Sequence, residues 1–352
     1  MRVPPDGAAA PGQPQLDVRF QPRGLLRNAH LQSILPSVPP LRSLTRRRAA
    51  ALVRSARAWV IDCGEGVRLQ GFHTPRADLG THAGPAVGAG AKRVAVLLHG
   101  WEGSAESTHV LSLSARLWGQ GFDVVRLNLR DHGATHHLNR DIFHSCRLQE
   151  VVGALRGVAQ RFADAPLYLA GFSLGGNFLL RAAADPGLPA NVAGVVAVSP
   201  LLDPATTLEA MERGRAVYRR YFVRLWSNSL RTKDRTWPGD FDFGAVLRSA
   251  DLRDMTEQLL VHTPFERLED YQAGYAITGE RLAGLRVPAA LLLSQDDPII
   301  PVGDVARLAA SAQLKVTLTR HGGHCGFMED WLQPSFAENY VLEQFARFAA
   351  AG

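Results

Sequence analysis

Short apolar runs alternate with longer segments of helical spacing over most of this chain. Val94–Leu98, Leu167–Ala170 and Ala289–Leu293 consist mainly of apolar residues, as expected for strands that helices cover on both faces. Between the first two runs, segments 106–118 and 148–162 repeat apolar residues at helical intervals. This alternation predicts an α/β fold with a doubly wound, mostly parallel sheet and right-handed crossovers.

The same pattern places further elements around this repeat. Trp59–Ile61 and Val67–Phe72 flank the turn-forming Gly64-Glu65-Gly66, which is typical of an N-terminal antiparallel hairpin. The remaining predictions are strands at Phe122–Leu127, Val192–Val198 and Leu314–Leu318, a helix after Ser173, a helix ending at Ala312, and a final helix at Ser335–Ala350.

Two segments depart from the strand–helix rhythm. Residues 1–45 begin with many prolines and glycines and predict an irregular N-terminal arm. From about 204 to 286 the chain becomes polar, aromatic and helical in spacing, and the rhythm then resumes. We therefore predict one α/β domain at 46–352 that carries a helical lid or cap insertion at about 204–286.

Composition fits a packed enzyme-sized protein, because hydrophobic residues make up 46% and charged residues 20% of the 352 positions. The net charge of +6 comes mostly from scattered arginines, so it gives no nucleic-acid signal. One cluster, Arg46–Arg48, precedes the apolar segment Ala49–Val53 and leaves peripheral contact with an anionic membrane open. The three cysteines lack a CxxC spacing and no segment is typical of a membrane span, which predicts a cytoplasmic location.

The strongest chemical signal is Gly171-Phe172-Ser173-Leu174-Gly175, which matches G-x-S-x-G directly after an apolar strand and before a helical segment. A sharp turn between strand and helix requires flanking residues without bulky side chains. It would project the Ser173 hydroxyl beyond the carboxyl end of the strand, where open α/β sheets bind their ligands. We predict that Ser173 is a nucleophile.

A serine nucleophile needs a base, and the base needs a carboxylate that orients it. His324 lies in the glycine-rich segment His321–Phe327 after the last predicted strand and is favoured over His321 as the base. Asp296 and Asp297 follow the strand that ends at Leu293, and either could serve as the acid. Asp297 is favoured because it immediately precedes Pro298 in a rigid turn.

The negative charge that develops on the substrate carbonyl requires backbone N–H donors. We predict the amides of Leu174, which follows the nucleophile, and of Trp101, which follows His99-Gly100 at the end of a long strand. The alternative role for the Trp101 ring is core packing, and both roles are compatible.

Four histidines, His132, His136, His137 and His144, follow the second long strand, but their spacing matches no metal motif such as HExxH. We expect them to shape the pocket or hold its loops, and we predict no metal. The glycines of segment 84–93 lack the GK[ST] ending of a phosphate-binding loop. No cofactor is therefore predicted.

Together these residues resemble the YheT-like branch of the α/β-hydrolases over about residues 20–350. The marks of the resemblance are Asn28-Ala29-His30-Leu31-Gln32-Ser33-Ile34, His99-Gly100-Trp101-Glu102-Gly103-Ser104, Ile142-Phe143-His144-Ser145, Gly171–Asn177 and Gly322–Phe327. The resemblance implies a Ser173–Asp297–His324 triad and cofactor-free hydrolysis of carboxylic esters. Trp101 stands where the family often has a smaller aliphatic residue, and we expect no N-terminal membrane segment like that of the eukaryotic members.

The leading hypothesis is a serine esterase that acts on short to medium acyl esters or monoacylglycerols through an acyl intermediate. A thioesterase, peptidase or acyltransferase on the same residues is an alternative, because different nucleophiles can resolve an acyl-enzyme. A non-catalytic binding protein on a hydrolase scaffold is the alternative from another class. The expected partner is a small ester or lipid, with no nucleic acid.

Overall fold

Nine strands form one mixed sheet in the computed structural model, which describes residues 14–82, 91–332 and 334–351. The strands are β1 Gln15–Leu16, β2 Arg57–Asp62, β3 Arg68–Thr74, β4 Val94–Leu98, β5 Asp123–Asn128, β6 Leu167–Phe172, β7 Val192–Val198, β8 Ala289–Ser294 and β9 Leu314–Thr319. Their order across the sheet is β1-β9-β8-β7-β6-β4-β5-β3-β2. Only β3, antiparallel to β5 and to β2, breaks the parallel arrangement of the described strands. The predicted mostly parallel sheet with an antiparallel hairpin is confirmed.

Helices cover both faces of this sheet. The α-helices are α1 Ala29–Ile34, α2 Leu41–Arg48, α3 Ala50–Arg54, α4 Thr108–Gly119, α5 Leu148–Arg161, α6 Leu174–Ala184, α7 Pro204–Arg213, α8 Ala216–Thr236, α9 Gly244–Arg248, α10 Leu252–Leu259, α11 Leu268–Tyr275 and α12 Phe336–Ala351. Short 3-10 helices lie at Gly24–Arg27, Leu35–Ser37, Arg76–His82, Leu260–His262, Glu280–Leu282 and Val302–Arg307.

Alternate residues of the central strand β4 belong to two different cores. Val96 and Leu98 join the cluster that includes Phe178 of α6, whereas Leu97 joins the cluster that includes Leu113 of α4 and Tyr340 of α12. Side chains of a strand alternate between its faces, so a fully apolar strand requires cover on both. The apolar run at Val94–Leu98 is buried throughout for this reason.

The prediction of an irregular N-terminal arm is wrong for the described residues. β1 forms the edge of the sheet and pairs in parallel with β9, and α1, α2 and two 3-10 helices follow it. Asn28 caps α1 by accepting hydrogen bonds from the amides of His30 and Leu31. Pro36 lies in the first turn of a 3-10 helix and Pro40 directly precedes α2, positions where the missing N–H costs little.

The predicted helix ending at Ala312 is also wrong, because only the 3-10 helix Val302–Arg307 forms there. The Asp297 carboxylate accepts the amides of Ile299 and Ile300, and the short 3-10 helix begins only after Pro301. Leu308 is then extended and forms a parallel bridge with Gly279. This pairing with a segment that is distant in sequence outweighs the helical spacing of the apolar residues.

Helices α7–α11 lie between β7 and β8, in the segment predicted as an insertion. A buried ion pair, Lys233 Nζ to Asp131 Oδ1 at 2.9 Å, fastens α8 to the loop after β5. No helix within the described ranges combines the length and the apolarity needed to cross a bilayer. Cys63, Cys146 and Cys325 are all free, and the cytoplasmic location stays a prediction.

Candidate active site

Ser173 occupies the turn between β6 and α6 in a strained backbone conformation. Its φ of 52° and ψ of −122° lie outside the regions that a non-glycine residue ordinarily adopts. The Ser173 amide donates a 2.9 Å hydrogen bond to the Val198 carbonyl at the end of β7, which holds the turn against the neighbouring strand. The side chain therefore projects at the carboxyl edge of the sheet, as the sequence predicts.

The glycines on either side of Ser173 are required by close backbone contacts. A Cβ on Gly171 would lie 2.6 Å from the backbone of Gly175. A Cβ on Gly175 would lie 2.5 Å from the Leu98 carbonyl oxygen and closer still to that of His99. Any side chain at these two positions would force the turn away from β4.

His324 and Asp297 form a hydrogen-bonded pair. The distance from His324 Nδ1 to Asp297 Oδ2 is 2.9 Å, and the Asp297 side chain is 0% exposed while that of His324 is 13% exposed. The other carboxylate oxygen of Asp297 accepts the amides of Ile299 and Ile300 at 2.8 and 3.0 Å. Asp297 is thus fixed on one side and leaves one oxygen for the imidazole.

Asp296 makes different contacts from its neighbour. Its carboxylate accepts the Gly323 amide at 2.9 Å and lies 3.3 Å from Nδ1 of His321. Asp296 therefore shapes the loop that carries His324, whereas Asp297 contacts the His324 ring itself. The structure pairs the two carboxylates with the two histidines in the order that the sequence favours.

The N-terminal segment braces the His324 loop, a role that the sequence did not reveal. Ser33 Oγ accepts the His324 amide at 2.8 Å. The Gln32 side chain, fully buried, accepts the Met328 amide at 2.7 Å and donates to the carbonyls of Met328 and Leu26 at 2.8 and 2.6 Å. In the sequence, the segment Asn28–Ile34 stands out only as a mark of family resemblance, and that resemblance is the signal that could have pointed to its role.

The His324 loop and the Ser173 turn are both fastened to the end of β7. The Cys325 amide donates to Ser199 Oγ at 3.1 Å, one residue beyond the carbonyl that holds Ser173. Burial opposes the charged imidazolium of His324, but the Asp297 carboxylate and the adjacent Cys325 outweigh it, and the pKa of His324 rises well above its usual value.

The backbone amides of Trp101 and Leu174 have no hydrogen-bond acceptor among the described residues. Leu174 opens α6, where the first amides of a helix have no intrahelical acceptor. Gly100 approaches so closely that a Cβ there would lie 3.1 Å from Ser173 Cβ. The Trp101 ring stacks on Phe222 and meets Trp226 edge-on, both on α8.

Two buried histidines hold the loop that contains Trp101. His132 Nδ1 bonds the Arg130 carbonyl at 2.7 Å, so Nε2 is the acceptor for the Glu102 amide at 3.1 Å. His99 Nδ1 likewise bonds the Gly100 carbonyl, and Nε2 accepts the Leu129 amide. Burial lowers the pKa of His132 to about 3 and that of His99 to about 4, so both rings stay neutral and keep these roles.

Ser173 and His324 line one cavity of about 870 Å³. Its walls also include Trp101, the segment Phe143–Ser145, and residues of α2, α7, α8 and α10. Much of the wall is aliphatic or aromatic, and the volume falls within the range of small-molecule sites. A ligand in this cavity would therefore meet the Ser173 hydroxyl and a mainly apolar surface.

A profile described as the α/β hydrolase fold matches residues 94–330, more than half of the chain. This chain belongs to the α/β-hydrolase family. The strand–Ser173–helix turn and the mostly parallel sheet are the parts of the structure that such membership leads one to expect.

Among relatives of this α/β-hydrolase, the candidate esterase YheT of Escherichia coli (strain K12) is 27% identical over 317 residues, covering 88% of this chain and 87% of the relative. Human protein ABHD15 is 26% identical over 200 residues, covering 53% and 40%. Among solved structures, the Pyrococcus furiosus esterase Pf2001 superposes with a TM-score of 0.54 at 11% identity, covering 87% of this chain and 95% of that one. The YheT-like resemblance is confirmed.

The four histidines after β5 do not assemble into a common centre. His136 Nε2 contacts Ser229 Oγ on α8 at 3.0 Å, His137 is exposed, and His144 lines the cavity. No group of three or more candidate metal ligands occurs in the part of the chain that the structure describes. The loop-holding role predicted for these residues fits His132 best.

Proposed function

We propose that this α/β-hydrolase cleaves carboxylic esters through a covalent acyl intermediate on Ser173. One observation carries the proposal: the strained Ser173 and the His324 that pairs with Asp297 line the same cavity. A serine held at a tight strand–helix turn, a histidine within the same cavity, and a buried carboxylate on that histidine are the parts that acyl transfer requires.

The first step forms the acyl-enzyme. Ser173 Oγ attacks the ester carbonyl carbon while His324 Nε2 takes the hydroxyl proton. Asp297 orients the ring through Nδ1 and stabilises the imidazolium that forms. The carbonyl π electrons move to oxygen, and the amides of Trp101 and Leu174 donate hydrogen bonds to that oxygen.

The intermediate then collapses in two stages. His324 returns its proton to the alkoxide, the alcohol leaves, and the acyl group stays on Ser173. A water molecule gives a proton to His324 and attacks the acyl carbon, and Ser173 Oγ leaves with that proton. No cofactor is needed for these steps, because each bond change involves only the ester, water and the three side chains.

The cavity suggests the substrate class. Its apolar and aromatic wall favours a short to medium acyl chain, as in simple acyl esters or monoacylglycerols. The Trp101 ring, stacked on Phe222 of α8, would limit the length or branching of that chain. We propose that helices α7–α11 act as the lid over this space. The names of YheT and Pf2001 as esterases support the same class.

Labelling with a fluorophosphonate probe tests the mechanism. Wild-type protein should label, and Ser173→Ala should not, because the probe reacts only with an activated serine. Ser37→Ala is the matched control, since Ser37 lines the same cavity without a recorded side-chain hydrogen bond. Failure of the wild type to label, or equal labelling of Ser173→Ala, would show that the assignment is wrong.

A panel of 4-nitrophenyl esters with graded acyl chains tests the substrate class. We expect kcat/KM to rise with chain length while the chain fills the cavity and to fall beyond it. A flat profile from acetate to a long chain would contradict the proposed role of the apolar wall.

A further inference from the structure

Two arginines of α2 combine exposure with a place on the cavity wall. Arg42 and Arg46 line the cavity that contains Ser173, yet both residues are exposed to solvent. A side chain that meets both conditions lies where the cavity opens to water. One turn of helix separates them, so both guanidinium groups project from the same side of α2.

A third arginine, Arg224, belongs to α8, which also contributes to the cavity wall. Burial raises the pKa of the Tyr221 phenol on this helix, and the positive charges of Arg42 and Arg224 oppose that shift, which places both near the phenol. Tyr221 is 53% exposed and lines the cavity, and Val217 one turn before it is 52% exposed and does the same. We call Arg42, Arg46 and Arg224 the arginine rim.

No carboxylate neutralises the arginine rim. Within the described parts of the chain, these three residues form neither an ion pair nor a side-chain hydrogen bond. By contrast, Arg219 on the same helix α8 pairs with Glu212 at 3.5 Å. Unpaired guanidinium groups beside an apolar opening favour an anionic ligand, because the planar fork matches phosphate and carboxylate oxygens.

Two acidic residues, Glu102 and Glu106, line the same cavity, so their charges bear on the net charge of its opening. Burial and the nearby Asp131 raise the pKa of Glu102 to about 8, so that carboxyl group is mostly uncharged at neutral pH. Glu106 interacts with the buried Arg126. The opening therefore keeps an excess of positive charge.

We propose that the arginine rim binds the anionic group of an amphiphilic ester whose acyl chain occupies the apolar cavity. The substrate class is then an ester with a phosphate or carboxylate on the alcohol portion. This proposal rests on the proposed function, since it assigns the alcohol side of the same substrate. It differs from simple attraction between a basic protein and an anionic bilayer, because it requires particular side chains and a monomeric ligand.

Binding of non-hydrolysable ether analogues tests the rim without any catalysis. The probes are 1-O-octylglycerol 3-phosphate and 1-O-octylglycerol, each titrated calorimetrically below its micelle concentration. Wild-type protein should bind the phosphate at least about tenfold more tightly, the low end for charge-assisted hydrogen bonds. The Arg42→Glu/Arg46→Glu double variant should lose this preference, while its affinity for 1-O-octylglycerol changes by less than about threefold.

Arg47→Glu is the matched control. Arg47 lies on the same helix, is exposed, and does not line the cavity. The Arg47→Glu single variant and Arg47→Glu/Arg48→Glu, which matches the double variant in charge, should both retain the phosphate preference. Equal losses in the rim and control double variants would overturn the proposal in favour of diffuse attraction. An equal affinity of wild type for the two probes would overturn it directly.

A vesicle-binding assay distinguishes a monomeric ligand from a membrane surface as the partner of the rim. Vesicles that contain a phosphate-headed lipid should bind the rim and control double variants about equally, because the two carry the same net charge. Selective loss of vesicle binding in the rim variant, without any loss of monomer binding, would assign the rim to a bilayer and overturn the proposal.

Kinetics then link the rim to catalysis. The ratio of kcat/KM for 1-octanoylglycerol 3-phosphate to that for 1-octanoylglycerol should fall about tenfold in the rim double variant and stay unchanged in the control. If wild type cleaves neither ester and Ser173 does not label, the proposed function fails while the binding data still decide the rim. If wild type cleaves both equally, the rim proposal fails alone.

Discussion

The turn that carries Ser173 and the loop that carries His324 are held in different ways. Ser173 sits between consecutive elements, β6 and α6, and its strained backbone is enforced by glycines two residues away on each side. The His324 loop follows β9 but is tied to Ser33 and to Asp297, which are distant in sequence. One half of the site is built locally, and the other is built by long-range contacts.

This difference matters because the two halves must meet with ångström accuracy. Misplacement of reacting groups by about 1 Å costs roughly a hundredfold in rate. The local half depends on its own few residues and on the ends of β4 and β7 that it contacts. The long-range half depends on several segments, so substitutions far from the cavity should change catalysis through it.

The largest effect is expected at Asp297, the residue of the long-range half that bonds the His324 ring. Asp297→Asn removes the charge that stabilises imidazolium and fixes the tautomer of His324, so kcat/KM should fall roughly ten-thousandfold. Asp296→Asn removes the same charge one residue earlier but touches only the Gly323 amide and His321; we expect a loss within about tenfold. Measured kcat/KM on one 4-nitrophenyl ester checks both, and equal losses would contradict the assignment.

The pH profile sharpens the same test. The base must be neutral to accept the Ser173 proton, and the pKa of His324 is raised by Asp297. Wild-type kcat/KM should therefore rise with pH through a midpoint above 6.5, the ordinary value for histidine. In Asp297→Asn the residual activity should show a lower midpoint, because the favourable interaction with the imidazolium is lost.

The next effect concerns the local half. Gly175→Ala places a Cβ within 2.5 Å of the Leu98 carbonyl, and β4 in the sheet centre cannot retreat. We expect a loss of about 1–3 kcal/mol in stability and of roughly a hundredfold in kcat/KM as the turn shifts. Gly119→Ala is the control, since nothing lies within 4 Å of a Cβ at Gly119, in the last position of α4. Thermal unfolding and fluorophosphonate labelling rates should separate the two variants.

Local pattern was sufficient to predict the sheet and the Ser173 turn. Strands such as Val94–Leu98 are buried on both faces, and a turn of the G-x-S-x-G type is encoded within five residues. Local pattern failed for the predicted helix ending at Ala312 and for the N-terminal arm. There, the bridge from Leu308 to Gly279 and the pairing of β1 with β9 decide the conformation, and no short window of sequence contains both partners.

The candidate site shows the same division between features that local sequence predicts and features that long-range contacts decide. Asp297 could be preferred over Asp296 only from its position before Pro298, whereas the structure distinguishes the two by their hydrogen bonds. Gln32 and Ser33 contact residues about three hundred positions later, so their role required the folded chain. The arginine rim likewise combines α2 with α8, and only Arg46 belonged to a segment that the sequence had marked.

The smallest effect on kcat is expected from the brace, by which we mean Gln32 and Ser33 and their hydrogen bonds to the His324 loop. Gln32→Leu keeps the size of the side chain but leaves the Met328 amide and the carbonyls of Leu26 and Met328 without their partner. Each unpaired buried group costs about 1–3 kcal/mol, partly offset by relaxation of the loop. Ser33→Ala removes the acceptor for the His324 amide and the donor to the Ala29 carbonyl, so we expect kcat to fall about tenfold and stability to fall by about 1–3 kcal/mol.

Gln21→Leu is the matched control for the brace, because Gln21 is exposed and its side chain donates only to the Val18 carbonyl within its own segment. It should leave both Tm and kcat near wild type. If the brace acts on His324, then Ser33→Ala should slow fluorophosphonate labelling of Ser173 in proportion to kcat while KM stays constant. If Ser33→Ala instead lowers Tm without slowing the labelling, the N-terminal segment supports the fold and not the site, and the contrast between a local and a long-range half would disappear.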